Sequence, residues 1–196
     1  MTNPVPAEFL DLAHALRRRI AADEERYLEA CDAIIRPLRP RPAWPSPTRR
    51  SYLKRVAQAY ALIDSLCRVR AIARVSPSGI FQISELRVAT STLTFPAWGA
   101  AAEPSLELTF YDVSCPPFVE RSVVVGQIGI HALGRRFQRG FDNTENGVLD
   151  DLSGFVGAFA KAMRNSAKEF EIAAADGVWR AMLSGDGETL AARTYV

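Results

Sequence analysis

The chain has 196 residues, 48% of them hydrophobic and 23% charged, and a formal net charge of +2. This is the composition of an ordinary globular domain, and the near-neutral balance gives a weak whole-molecule field that says little about partners. Cys31, Cys67 and Cys115 are too few and too scattered for a disulfide framework or a cysteine zinc site, and no apolar run is long enough to span a membrane.

The first predicted element is an amphipathic helix from about Ala7 to Arg36, with Phe9, Leu12, Ala13, Leu16 and Ile20 at helical spacing and Tyr27, Leu28, Cys31, Ile34 and Ile35 continuing the stripe. "RPLRPRPAWPSPT" (Arg36–Thr48) is too rich in proline for a helix and reads as an extended linker. A second helix is expected from about Arg49 to Leu66, and "SPSG" (Ser76–Gly79) is a turn signal. Alternation then predicts strands around Ile80–Leu86 and Arg87–Phe95, a loop at "PAWGAAAEP" (Pro96–Pro104), and a half-buried strand at Ser105–Val113. "RSVVVGQIGI" (Arg121–Ile130) is apolar enough to sit centrally in a sheet. Helices are expected from about His131 and over Glu145–Asn165, where Gly154 and Gly157 would permit close packing on the sheet. "FEIAA", "GVWRAML" and "TLAARTYV" supply the last strands, the final two joined at "SGDG" (Ser184–Gly187) as a β-hairpin. The order is α+β: N-terminal helices, a mostly antiparallel sheet, two further helices and a C-terminal hairpin. The expected organisation is a helix and proline-rich linker over residues 1–48, followed by one α+β domain over 49–196.

Chemistry concentrates in "IGIHALGRRFQRG" (Ile128–Gly140). On a helix beginning near His131, Arg135 and Arg139 follow at i+4 and i+8 and share its face, while Arg136 lies about 100° away. The first-turn amides of such a helix have no intrahelical acceptors, so an imidazole, amides and guanidiniums together suit a phosphodiester. Cleaving RNA without a metal requires a base for the 2′-hydroxyl, an acid for the leaving oxygen, and cations for the phosphorane. Histidine can fill either proton-transfer role, because its unperturbed pKa is about 6.5.

"GIHALGRRFQRG", with a following helix and a last strand ending "ARTYV", resembles small bacterial RNase toxins of the barnase, EndoU and RelE fold group, in its phage-associated branch. There a strand-edge histidine opens an "H-A-x-x-R-x-x-x-R" helix and the last strand returns a basic or polar residue and a threonine beside it. The resemblance covers about residues 123–196. It implies a metal-independent RNase or RNA-binding toxin-like protein, with His131, Arg135, Arg139, Arg193 and Thr194 as catalytic residues and no cofactor.

Arg136, Arg49, Arg50 and Lys54 are the expected nucleic-acid contacts beyond that set, the last three in a first segment of 75 residues enriched in arginine. Each assignment has a plainer rival. His131 can cap or hydrogen-bond the backbone, the arginines can form a solvated face paired with Asp142, Glu145, Asp150 or Asp151, and Arg193 and Thr194 can be ordinary strand residues. Asp150 and Asp151 point apart on a helix and do not read as a metal site. Trp44, Trp98 and Trp179 read as plugs at core edges. The alternative function is a non-catalytic interaction protein that binds a partner or a second copy through its N-terminal helices. The expected compartment is the cytoplasm, with no membrane association.

Overall fold

Pro6, fixed in an extended conformation (φ −57°, ψ 145°), immediately precedes the first helix, α1 (Ala7–Ile35). The computed structural model describes residues 4–36, 71–75, 80–93, 102–115, 118–164, 168–183 and 189–196. The expected helix at 49–66, most of the linker, the turns at 76–79 and 184–187, and most of the loop at 96–104 lie outside them. So do Trp44, Trp98, Arg49, Arg50 and Lys54.

Alternation at two-residue period builds a seven-stranded sheet from β1 (Ala71–Val75), β2 (Phe81–Leu93), β3 (Glu103–Cys115), β4 (Val119–Gly129), β5 (Glu169–Ala173), β6 (Val178–Leu183) and β7 (Leu190–Tyr195). The spatial order is β1-β2-β3-β4-β7-β6-β5, and the apolar strand β4 is central as its composition requires. Every pairing is antiparallel except β4 with β7, so the sheet is mostly antiparallel, and the last two strands in the chain, β6 and β7, pair as in a hairpin. β2 is one continuous strand where alternation suggests two runs, because it pairs with β3 from Phe81 to Leu93 without a break.

Between β4 and β5 run α2 (Ile130–Arg139), α3 (Glu145–Leu152) and α4 (Gly154–Ala162). The single helix expected over 145–165 is therefore divided. At Ser153 the amide bonds Asp150 O three residues back, 3.1 Å away, which tightens the turn and redirects the axis. Thr144 caps α3, accepting from the Gly147 amide at 3.2 Å. Thr144 also donates to Asp142, and these hydrogen bonds hold the Asp142 carboxyl below its usual pKa.

The larger apolar core among the described residues joins strands and helices. Leu86, Val88, Leu106, Leu108 and Ile128 from β2–β4 meet Trp179, Ala181, Leu190, Ala192 and Tyr195 from β6 and β7. Ala13, Leu16 and Ile20 bury the α1 stripe in the same cluster. Trp179 is fully buried, edge-on to Phe155 and Tyr195, and plugs the core as its sequence setting suggests. α4 lies close to the sheet at Gly154, where a Cβ would come within 2.9 Å of Ile172 and 3.0 Å of the Ala173 carbonyl. Gly157 faces open space and permits no such approach. Arg17 donates to the Ser91 and Ser105 carbonyls, and Glu24 accepts from the Thr90 amide and hydroxyl, which seats α1 across β2 and β3.

Candidate functional site

The site is made where β4 becomes a helix. β7 pairs with β4 only through Leu190–Ala192 opposite Gly126–Ile128. Past that point α2 runs beside the rest of β7, and Arg139 Nη1 donates to the Tyr195 carbonyl at 2.7 Å. Gly129 is the N-cap of α2 and contributes no side-chain cap, so His131 lies in a first turn whose amides the N-cap residue leaves uncapped.

β7 contains the second device. Ala181 pairs with Ala192, but Arg180 pairs with Thr194, so Arg193 is an extra residue in the strand. This β-bulge resets the alternation. Ala192 and Tyr195 both enter the core, and Arg193 and Thr194 both face a cavity of about 720 Å³. His131 and Arg135 from α2 line the same cavity. Four of the five residues expected to be catalytic are thus brought together, from two segments about sixty positions apart in the chain.

Arg135 is the most constrained of them. It is only 7% exposed, its Nη1 bonds the Gln138 amide oxygen at 2.7 Å, and among the described residues no carboxylate pairs with it. A guanidinium removed from water without a counter-charge is costly, and a bound anion would lower that cost. Arg193 has an acidic neighbour, Glu169, at 3.9 Å, and contacts the Met182 sulfur at 3.2 Å.

The other expected contacts fall elsewhere. Arg139 does not line the cavity; its guanidinium is engaged with the Tyr195 carbonyl. Arg136 is a correction. It is fully buried, ion-paired to Asp151, with Asp176 at 3.9 Å and the Tyr195 ring at 5.3 Å, so it has no access to a nucleic acid. Nor is it part of a solvated face: of the four acidic partners weighed for it, Asp151 meets it inside the core. Burial pushes the neighbouring Tyr195 phenol above its usual pKa, against the opposing pull of the Arg136 charge.

Sequence reasoning misses four participants. Arg180, on β6, lines the cavity and pairs with Glu171 at 3.4 Å. Its signal is the alternation of "VWRAML", which turns Arg180 away from the face that buries Trp179 and Ala181. Glu169 and Glu171 on β5 carry only strand signal in the sequence, yet they set an acidic edge against Arg193 and Arg180. Glu103 falls within the expected loop, but it begins β3 and its carboxylate meets His131 Nδ1 at 2.7 Å. The overlooked signal is Pro104, since a residue before proline is held extended.

The arrangement offers one imidazole and three guanidiniums around an open hollow, with carboxylates on one edge. No group of three or more His, Cys, Asp or Glu among the described residues could hold a metal ion, and no described helix is long and apolar enough to cross a membrane. Comparison with protein-family models, curated proteins and solved structures finds no match to this chain.

Proposed function

We propose that the cleft binds the phosphodiester backbone of RNA and cleaves it without a metal. The observation that supports this reading is the convergence of His131, Arg135, Arg193 and Thr194, from α2 and β7, around one cavity of about 720 Å³. His131 moves the proton. Arg135 and Arg193, joined by Arg180, hold the phosphate and the charge that grows on it in the phosphorane, and Thr194 hydrogen-bonds a non-bridging oxygen. Arg139 serves this reading indirectly, by tying the end of β7 to α2.

The test is incubation of the purified protein with a single-stranded RNA in excess EDTA. Wild type yields a 2′,3′-cyclic phosphate end, and a 2′-deoxy substitution at the cut position abolishes the product. His131→Ala lowers the rate by about 10²-fold or more, the range for losing a proton-transfer group, while binding persists. Wild-type protein that neither cleaves nor retains RNA at low salt would end this proposal.

A further inference from the structure

An imidazole does proton chemistry only through the nitrogen that faces the reactant, and a hydrogen bond to the other nitrogen decides which state that one is in. Nδ1 of His131 is committed, 2.7 Å from Glu103 Oε2. The two residues are 28 positions apart, and strand register brings them together. β3 and β4 pair with Ser105 opposite Gly129, so the start of β3 overhangs the first turn of α2.

Gly129 makes the contact possible. A Cβ at that position would fall inside the Glu103 carboxylate, so the space any other residue would fill holds the acid group instead. Glu103 is the more sheltered partner, its side chain 28% exposed against 68% for His131. His131 also lines the cleft, with Arg135 and Arg193.

We infer that Glu103 is a positioning residue for His131, accepting a hydrogen bond from Nδ1–H so that the bare Nε2 is the nitrogen offered to the cleft, and that Gly129 is the residue that admits it. Neutral His131 is then a proton acceptor. Its role in cleavage rests on the function proposed above, while the state of its ring does not. In that reaction the 2′-hydroxyl proton passes to Nε2. The 2′-oxygen bonds phosphorus as the bond from phosphorus to the 5′-oxygen breaks, and the departing oxygen takes a proton from water, whose hydroxide the imidazolium then neutralises. The Glu103 side chain stays hydrogen-bonded to the ring when the proton arrives.

The chain has two histidines, so ¹⁵N-histidine labelling gives two rings, and the spectrum of His131→Ala assigns them. At a pH where the ring is neutral, wild-type His131 shows a protonated Nδ1 and an unprotonated Nε2. In Glu103→Ala that bias disappears. In Glu103→Gln it weakens, since an amide can either accept from Nδ1–H or donate to a bare Nδ1. Gly129→Ala displaces the carboxylate and matches Glu103→Ala. A wild-type ring protonated on Nε2, or a tautomer ratio equal in wild type and Glu103→Ala, overturns the inference, and the first result needs no variant of Glu103 or Gly129 to fold. Where wild type cleaves RNA, Glu103→Ala lowers kcat by roughly tenfold or more with KM nearly unchanged, as when a catalytic imidazole loses its orienting carboxylate. A change confined to KM would mean that Glu103 acts in binding and would overturn the positioning role. RNA left intact by wild type with the tautomer as stated refutes the RNase and leaves Glu103 as the residue that sets the ring.

Discussion

Arg135 and Arg136 are neighbours in the chain, both buried, and opposite in every other respect. Arg136 has its counter-charge in Asp151, which also accepts from the Ala175 amide at 2.9 Å. Removing one partner of such a pair strands the other, so Asp151→Ala is expected to cost about 3–5 kcal/mol in urea unfolding. Replacing both, as Arg136→Met with Asp151→Leu, should cost far less than the sum of the single changes. Arg135 has no such counter-charge among the described residues and lines the cavity. Arg135→Met should therefore leave stability unchanged or raise it by about 1 kcal/mol, while anion binding is lost. A large loss at Asp151, the partner of Arg136, beside none at Arg135 would separate a structural arginine from a binding one. An Arg135→Met protein destabilised as much as Asp151→Ala would deny the distinction. In the sequence the two residues look alike. A helical wheel separates them by about 100°, but it does not say which side meets a carboxylate arriving from another helix.

At the scale of elements, the site depends on two local irregularities that periodicity cannot display. Strict alternation in "LAARTY" would send Arg193 and Thr194 to opposite faces, and the extra residue in β7 puts both on the cavity. The start of β3 is hidden in an alanine-rich stretch, so the carboxylate facing His131 is not legible although the histidine is. The elements with long, regular patterns are legible: α1, the central β4, the α2 start near His131 and the β6–β7 hairpin. β5 carries a prediction of its own. Glu169 and Glu171 lie beside Arg193 and Arg180 in pairs whose side chains are at least half exposed, so each pair contributes little to folding, about 0–1 kcal/mol. An incoming phosphate must replace both carboxylates at their arginines. Glu169→Gln and Glu171→Gln should leave the unfolding midpoint nearly unchanged and each tighten RNA binding by about 1.5- to 5-fold, the equivalent of losing one exposed competing pair. Weaker binding in either variant would make the glutamates ligand contacts.

For the whole molecule, a net charge of +2 spread over 24 basic and 22 acidic side chains supplies almost no long-range steering. Composition therefore conceals the cleft, where Arg135, Arg180 and Arg193 from three elements meet on one cavity. Only the fold creates that local excess, because β4 stops pairing with β7 and α2 takes its place. The salt dependence of binding measures how many of these charges a nucleic acid uses. Each phosphate neutralised on a single strand contributes about −0.7 to the slope of log K against log salt concentration, so three arginines predict a slope near −2 and about fourfold weaker binding for each doubling of salt. Arg193→Ala should make the slope shallower by about 0.7, and Arg136→Met with Asp151→Leu, which removes an ion pair sealed in the core, should leave it where it was. A slope several units steeper would bring in the arginine-rich first 75 residues as a second contact surface. A slope of zero would mean that whatever binds in the cleft is not recognised by its phosphates.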